Sequence, residues 1–473
     1  MPPRITVALL AVLALSACAS PRKPDLRLPT AFEAPQPAAE TVALDQWWTA
    51  FNDPQLTQLI DQALVANPDA RTAASRLREV RAQRASALAQ LLPTGDAKAA
   101  ASRTDNRQLS GTPITIPGFS NRGISEAYSA NFDVSWEIDL FGRLFSAAKA
   151  ANADYAAQRF AYEGARATLA AQVADAYFQA RGLAIQLDDA RETVRIQGGL
   201  YDIADKRAAA GLAATADPDR IAGDLAQAQA QAASLEAELQ VERRTLLILA
   251  GRTAEPTANM PLPASVGEAP PVPATLPSEL LARRPDVREA ERRVASAAGL
   301  QDVAARAFFP TFTLTPGLGW SKSVQPNYRS TSQNWSIGGN VSQPVLSIPR
   351  LIADLKVQNA RTEQAVIAYE KVVQTAFQES EAALVRLDAD RRGVAGLTDG
   401  EMRAARAFKA AQLGYSLGLT DLEQALSAER TWRATRTQLT SAQVQALRRT
   451  VQAYQALGGG WPQSAYPAPP KAR

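Results

Sequence analysis

The sequence predicts a mainly helical protein that also contains a small number of membrane-spanning β-strands. Three observations lead to this fold class: proline-free stretches of about 65 residues with apolar residues at heptad spacing, short segments of alternating apolar and polar residues, and a duplication of the whole pattern. The chain has 473 residues, of which 46% are hydrophobic and 21% charged, a composition typical of folded proteins and not of disordered ones.

The first residues predict export from the cytoplasm and lipidation. Arg4 precedes an apolar stretch over residues 5–15, which is too short to span a membrane as a helix. Leu15-Ser16-Ala17-Cys18 resembles the bacterial lipobox, in which the cysteine becomes the first mature residue and is acylated with diacylglycerol and palmitate. We therefore expect a lipoprotein signal peptide over residues 1–17 and a lipid anchor at Cys18. An ordinary secretory signal with an incidental cysteine is the alternative.

The body of the chain contains the same pattern twice. Asn67-Pro68-Asp69 and Arg284-Pro285-Asp286 lie 217 residues apart, and each precedes a helical stretch that ends in Pro-Thr. Three further pairs recur at an offset of 207: Arg143 with Arg350, Tyr162 with Tyr369, and Gly211 with Gly418. The predicted division of the mature chain is a tether over 18–43, a first repeat over 44–253, a Pro-rich linker over 254–276, a second repeat over 277–460 and a tail over 461–473.

In each repeat, the sequence predicts first a helix and then strands. The first helix covers about residues 69–92. Apolar and polar residues alternate from 132 to 140, from 312 to 321 and from 335 to 342, whereas a strand near 94–108 is less clear. We expect external loops at about 109–125 and 324–333, with the first longer than the second because of the change in repeat offset.

The alternating segments have two structural interpretations. Segments of about ten residues with this period fit transmembrane β-strands, although a soluble sandwich with one wet face has the same pattern. Asp133, Glu137 and Asp139 are suited to a water-filled lumen, which favours the barrel. We expect three tryptophans to anchor the strands at the membrane interfaces: Trp136, Trp320 and Trp335.

The longest predicted helices follow the strands, over about 143–210 and 351–417. A run of this length would extend about 100 Å at 1.5 Å per residue, so it must pair with other helices along its length. Each is followed by a second helix, which ends near Leu249 or Leu457. Gly211 and Gly418 are the expected C-caps at the tips of these hairpins, and Thr215 and Thr420 the expected N-caps.

The residue counts restrict the chemistry. The chain has no histidine and one cysteine, so it contains no Ser-His-Asp triad, imidazole metal ligand or intrachain disulfide. Carboxylate-based catalysis is not excluded by these counts, but no paired carboxylates stand out. We therefore expect no enzyme, no metal site and no cofactor. The net charge of +4 and the lack of a basic tract also argue against a nucleic-acid partner.

Several motifs, in the same order along the chain, resemble those of TolC-like outer-membrane factors. They are Trp47-Trp48, Asp53-Pro54, Asn67-Pro68-Asp69, Glu137-Ile138-Asp139-Leu140-Phe141-Gly142-Arg143, Leu276-Pro277-Ser278-Glu279-Leu280-Leu281, Arg283-Arg284-Pro285-Asp286-Val287 and Ala307-Phe308-Phe309-Pro310. Together with the lipobox, they resemble the NodT-type lipoprotein branch of this family.

The resemblance implies a homotrimer in which each protomer contributes four strands to a 12-stranded outer-membrane barrel, continued by a long α-helical coiled-coil barrel in the periplasm. It implies the exit duct of a tripartite efflux system, which passes small molecules from a periplasmic adaptor and an inner-membrane transporter, expected to be RND-type, to the exterior. The protomer would be anchored in outer-membrane lipid through Cys18. A structural envelope lipoprotein that does not conduct is the alternative.

The resemblance also implies roles at the hairpin tips. Family members close their periplasmic end with a tyrosine before the second tip glycine and acidic residues about six and nine positions after it. The gate candidates here are Tyr415, Asp421, Leu422, Glu423, Gln424, Leu426 and Ser427. Because Gln424 and Ser427 replace the acids, a polar gate or a leucine gate is an alternative to a charged one.

The tips also resemble adaptor-docking surfaces, although simple capping chemistry would explain the same residues. The docking candidates are Lys206, Arg207, Gly211, Leu212, Gly418 and Leu419. Asp421 and Glu423 have a similarly simple interpretation as acids that stabilise a helix start.

Overall fold

The computed structural model describes residues 24–35, 44–107, 109–110, 123–211, 214–273, 275–326 and 328–462. The predicted signal peptide, the anchor at Cys18, the tip residue Leu212 and the tail beyond residue 462 lie outside these ranges.

Helices and strands follow each other in the predicted order, twice, except that an additional helix at Pro54–Ala66 precedes the first predicted one. In chain order they are α1 (Pro54–Ala66), α2 (Pro68–Ala89), β1 (Thr94–Asn106), β2 (Gly123–Ile138), α3 (Arg143–Ala209), α4 (Ala216–Leu249), α5 (Leu280–Arg283), α6 (Pro285–Arg306), β3 (Thr311–Gln325), β4 (Tyr328–Ser342), α7 (Ile348–Ser416) and α8 (Leu422–Ala456). Short 3-10 helices occupy Trp47–Phe51, Thr257–Asn259 and Pro277–Glu279. The predicted long helices are present, with 67 residues in α3 and 69 in α7.

The described chain divides into two compact units. The first contains Arg78–Ala157 and Ala290–Tyr369, and therefore all four strands. These form one antiparallel sheet in the order β1-β2-β3-β4. Residues that pair directly across antiparallel strands share a face of the sheet. Ala97, Phe132, Leu318 and Trp335 form one such apolar row, and Lys98, Asn131, Gly319 and Asn334 form the adjacent polar row. The sheet thus has one apolar face and one polar face.

The strands are longer than the sequence pattern indicates, at 13 to 16 residues each. The expected loop over 324–333 is wrong, because Gln325 already pairs with Tyr328 and β4 continues from there. Its first half alternates between serine and longer polar residues, so no hydrophobic signal marks it as strand. The connection between β1 and β2 is longer than that between β3 and β4, as predicted.

A sharp turn joins the sheet to α3. Gly142 has φ +76°, a left-handed conformation that glycine adopts without steric cost. The Arg306 side chain donates a 2.7 Å hydrogen bond from Nη1 to the Gly142 carbonyl. Asp139 lies beyond the end of β2 and accepts a 2.8 Å bond from the Phe145 backbone N–H, so its carboxylate caps the start of α3. Glu137 lies on the polar face of the sheet opposite Thr313, and its carboxylate accepts from Arg143 at 2.7 and 2.8 Å.

The second unit contains Asp25–Leu77, Gln158–Glu289 and the described part of Glu370–Arg473. Its core is aromatic: Trp47 is fully buried and stacks on Tyr454 with ring centroids 5.7 Å apart. Asp53 caps α1 by accepting from the Gln55 and Leu56 amides, and its other oxygen accepts from the Arg181 guanidinium at 2.5 Å. The core therefore fixes α1 against α3 within this unit.

The hairpin tips have the predicted C-caps. Thr215 lies at the N-cap position of α4, as predicted, whereas the N-cap of α8 is one residue away from the predicted one. Gly211 and Gly418 have φ +68° and +75°. Asp421, not Thr420, caps α8, since its carboxylate accepts from the Gln424 amide at 2.7 Å. Thr420 instead donates its hydroxyl to the Ala411 carbonyl, and Thr215 makes no side-chain cap bond.

Candidate functional site

The polar face of the sheet forms the first candidate site. Its side chains are small or hydrophilic, and the Lys98 ammonium lies 3.9 Å from an Asp133 carboxylate oxygen. Gly319 sits between Asn131 and Asn334, and a β-carbon there would lie 2.9 Å from the Asn131 Oδ1 atom. A β-branched or larger residue would therefore displace the asparagines. This face is suited to contact with water, as predicted for a lumen.

The opposite face carries exposed apolar side chains. Trp335 is 77% exposed, and Phe132, Leu318 and Ile337 are also exposed. Trp136 and Tyr128 lie eight residues apart on β2, which corresponds to roughly 27 Å along the strand and roughly 20 Å in height at the tilt usual in membrane barrels. A band of this height matches the apolar belt of an outer-membrane barrel.

The three predicted interface tryptophans all lie on this apolar face, at three different levels along the strands. Trp136 is near the helical end of β2 and donates from Nε1 to the Leu91 carbonyl at 3.1 Å. Trp320 pairs with Ala130 and Gln333, and Trp335 pairs with Leu318, two residues nearer the helical end. Their assignment as membrane anchors remains a prediction.

The gate candidates at the start of α8 divide into a buried and an exposed set. Leu422, Leu426 and Tyr415 are buried in one cluster with Phe408 and Ile196. A leucine gate at Leu422 and Leu426 therefore does not fit the protomer, since these side chains are enclosed by its own helices. The exposed set is polar and consists of Asp421, Glu423, Gln424 and Ser427.

The second tip contacts the first one through a cation–π interaction. The Arg207 guanidinium lies 5.2 Å from the centre of the Tyr415 ring, which is only 4% exposed. The other docking candidates Lys206, Gly211, Gly418 and Leu419 are exposed, and Leu419 is 78% exposed. A gate candidate and a docking candidate therefore touch.

Ion pairs join the two hairpins along α4 and α8. Arg220 bonds Glu423 at 2.9 Å, and Asp224 accepts from Arg430 at 3.0 Å. The hydrogen bond from Arg220 and its positive charge lower the pKa of the Glu423 carboxyl, so that group stays ionised at neutral pH. Arg220, Asp224 and Arg430 were not singled out from the sequence, because partners more than 200 residues apart leave no local pattern.

A third hairpin contact lies deeper in the bundle. Asp189 of α3 pairs with Arg436 of α8 at 2.6 Å. The Trp432 ring stacks on Phe408, with centroids 5.1 Å apart, and donates its N–H to Glu401 at 2.9 Å. These contacts hold α8 against both α3 and α7 in this part of the second unit.

No helix in the described ranges is both long and apolar enough to cross a bilayer. The same ranges hold no group of three or more Cys, Asp or Glu side chains placed to bind a metal ion.

Comparison with known proteins agrees with this geometry. The family model described as "Outer membrane efflux protein" matches residues 59–252 and 276–459. The chain is 30% identical over 417 residues to the pyoverdine export outer membrane protein OpmQ of Pseudomonas aeruginosa, covering 88% of this chain and 87% of that protein. It is 28% identical over 466 residues to the cation efflux system protein CusC of Escherichia coli, covering 95% and 97%.

Solved structures give the same assignment. The open state of the Neisseria gonorrhoeae MtrE outer membrane channel has a TM-score of 0.81 and 27% identity, over 94% of this chain and 98% of that one. The predicted TolC-like fold class and the predicted efflux-channel function are thereby confirmed, and the related proteins are channels, not enzymes. The chain therefore belongs to the outer membrane efflux protein family, the outer-membrane channels of tripartite efflux systems.

Proposed function

We propose that the protein works as a homotrimeric exit duct whose barrel closes only when three copies meet. The observation that carries this proposal is the sheet, which has one apolar and one polar face and leaves β1 and β4 as its two edges among the described strands. Unpaired edges are not tolerated in lipid, and three four-stranded sheets joined edge to edge give a closed barrel of twelve strands.

The partners in this proposal are a periplasmic adaptor and an inner-membrane transporter of the RND type. The adaptor would dock on the exposed hairpin tips, at Lys206, Arg207, Gly211, Gly418 and Leu419, with Leu212 completing the first tip. The exposed side chain of Leu419 supports an apolar contact there, and the exposed Lys206 on the first tip supplies a positive charge. The names of OpmQ and CusC refer to different cargoes, pyoverdine and cations, so the family assignment favours neither.

The proposal places the gate at the exposed start of α8. Three copies of Gln424 and Ser427 would form a neutral polar constriction, beside Asp421 as helix cap and Glu423 in its ion pair. Tyr415 would act under the tip, where Arg207 covers its ring. The Arg220–Glu423 and Asp224–Arg430 pairs would hold the second hairpin against the first in the closed state.

The proposed function also includes a lipid anchor at Cys18 and a chain built from two repeats. Acylation of Cys18 would place the protein in the NodT-type lipoprotein branch and attach it to the outer membrane from the periplasmic side. The two ranges matched by the family model, 59–252 and 276–459, support the division into repeats at 44–253 and 277–460. The boundaries themselves remain a prediction.

Single-channel recording in planar bilayers tests the duct. We expect the purified full-length protein to insert as a trimer and to show a low conductance that rises when the hairpin ion pairs are removed. A trimer that inserts but never conducts, even in those variants, would overturn the proposal and favour a structural lipoprotein. Deletion of the gene, with susceptibility to a panel of drugs and metals as readout, would then identify the cargo class.

A further inference from the structure

A buried carboxylate ties the two hairpins together. Glu429 of α8 is fully enclosed, with 0% of its surface exposed. Its Oε2 atom accepts a 2.7 Å hydrogen bond from Nε2 of Gln197 on α3, a residue that is itself 1% exposed. This bond crosses from the second hairpin to the first, next to the proposed gate ion pairs.

The same two side chains hold two polar atoms that have no hydrogen-bond partner among the described residues: Glu429 Oε1 and Gln197 Oε1. A buried acceptor left unpaired is costly, so two on neighbouring side chains require an explanation. Both are acceptors while Glu429 is ionised and cannot satisfy each other. A proton on Glu429 Oε1 turns that atom into a donor, and the carboxylic acid and the amide can then form two complementary hydrogen bonds.

The charges around Glu429 offer it a second arrangement. Arg433, one turn along α8, has its Nε atom 3.4 Å from Glu429 Oε1, and this Nε is also without a hydrogen-bond partner among the described residues. Asp224 faces the site from α4, where its carboxylate already accepts from Arg430 of α8. Among the described residues, the cation within ion-pair distance of an ionised Glu429 is therefore Arg433, which lies on the same helix.

Two further helices, α3 and α7, contribute groups to this part of the second unit. On the α3 side Gln197 carries no charge, and on the α7 side Phe408 packs against Trp432, whose ring nitrogen is bonded to Glu401. Burial raises the pKa of the Glu429 carboxyl, Asp224 raises it further, and Arg433 and Arg430 oppose the shift. The surroundings thus favour the neutral acid more than water does.

We propose that Glu429 is a proton-operated clamp between the two hairpins. As a neutral acid it holds Gln197 by two hydrogen bonds and ties α8 to α3. As a carboxylate its free oxygen pairs with Arg433 on α8 itself, and the tie between hairpins is reduced to one bond. This inference rests on the proposed gate, because parting of the hairpins is what the clamp would control.

The direction of the pH effect follows from the sign of the shift. A carboxyl with a raised pKa in the clamped state binds its proton more tightly there, so acid stabilises that state. The stabilisation is lost as pH rises through the raised pKa. We therefore expect the channel to be held closed in acid and released toward neutral and alkaline pH. The exposed ion pairs alone would give the reverse, because acid protonates their carboxylates and weakens them.

The first test measures protonation directly. Infrared difference spectra of the purified full-length trimer in detergent, wild type minus Glu429→Gln, are recorded over a pH titration. They should contain the carbonyl stretch of a protonated carboxyl at the acid end and lose it as pH rises through the raised pKa of this group. Glu192→Gln is the matched control, because Glu192 is exposed and paired with Arg195 on its own helix. If the wild type and Glu429→Gln give the same spectrum over this range, Glu429 never carries the proton and the clamp is wrong.

The second test measures gating. As pH increases over the same titration, each protomer loses one of the two hydrogen bonds between Glu429 and Gln197. Each lost bond should raise the open probability in planar bilayers about two- to tenfold. Glu429→Gln, an amide that mimics the neutral acid, should stay closed throughout, and Glu192→Gln should follow the wild type. Persistence of the wild-type pH response in Glu429→Gln would overturn the clamp.

A double variant that exchanges the two residues controls for misfolding. Gln197→Glu combined with Glu429→Gln rebuilds the acid–amide pair with the roles reversed, so it should regain a pH response that Glu429→Gln lacks. A folded exchange variant without that response would contradict the two-bond pair. The infrared experiment needs no conduction, so a trimer that titrates but never conducts would refute the proposed duct and leave the clamp standing.

Discussion

Removal of the Asp224–Arg430 pair gives the sharpest test of the gate. Arg430 of α8 donates to Asp224 of α4 at 3.0 Å, and both side chains are partly exposed. A partly exposed ion pair is worth about 0.2–1 kcal/mol, so three copies in a trimer contribute roughly 0.6–3 kcal/mol. If the pair exists only in the closed state, Arg430→Gln should shift the closed-to-open equilibrium by about threefold to about a hundredfold.

The assay is open probability in planar bilayers, with a control that changes the same charge elsewhere. Arg403 pairs with Asp399 at 2.7 Å, but both residues lie on α7, so this pair does not join the hairpins. We expect Arg403→Gln to behave as the wild type. Salt gives a second check, since screening should raise opening in the wild type and change Arg430→Gln less.

The result that would refute this reasoning is equal opening in Arg430→Gln and Arg403→Gln. A double-mutant cycle with Asp224→Asn then separates a direct pair from a general charge effect. We expect the double variant to open no more than either single one. Simple addition of the two single effects would show that the residues act independently and that the pair does not hold the hairpins.

Three further predictions concern the sheet, the strand-to-helix turn and the anchor. Cys18→Ser removes the single cysteine of the chain, so new cysteines can be labelled one at a time. In this background and in membranes, Asn131→Cys should react with a water-soluble thiol reagent and Phe132→Cys should not. Equal labelling of the two would show that the faces of the sheet are misassigned. Gly142→Ala should lower the unfolding free energy by about 1–2 kcal/mol, because the backbone at this position is left-handed. Gly198→Ala, in the open interior of α3, should not lower the unfolding free energy. Denaturant titration in detergent measures both. Cys18→Ser should abolish incorporation of radiolabelled palmitate, and retained label would place the acyl chain elsewhere.

The sequence predicted the long helices and the sheet faces well because both have a repeating signal. Heptad spacing was read along α3 and α4, and α7 was predicted as the second copy of the long proline-free run. Alternation in β2 and β3 is clear because Phe132 and Leu318 are large. β1 was faint for a physical reason: its apolar face is built of alanines such as Ala97, which add little hydrophobicity. Its pairing with β2 makes it a strand, and that information is not local.

The contacts at the candidate gate were predicted less completely. Tyr415 and the tip glycine were located by resemblance, but Arg220, Asp224 and Arg430 were not, because an ion pair between distant helices has no fixed spacing. The cap of α8 was misplaced by one residue, since Thr and Asp are both good caps and stand side by side at 420 and 421.

The sequence of α8 already contains one indication of the clamp, which is an interruption in the line of apolar residues along its buried side. The buried side of α8 advances in steps of four and three residues, and its two ends are apolar, with Leu422 and Leu426 at the tip and Leu447 and Val451 in the aromatic core. Between them the same spacing places Glu429, which is buried, Arg433, which is half-buried, and Arg436, which is exposed. Charged groups in a buried seam cost more to enclose than leucine, and their contacts depend on protonation and on partner geometry. The apolar half anchors α8 in the core of the second unit, and the polar half joins it to its neighbours by bonds that can be exchanged, which is the property a gate requires.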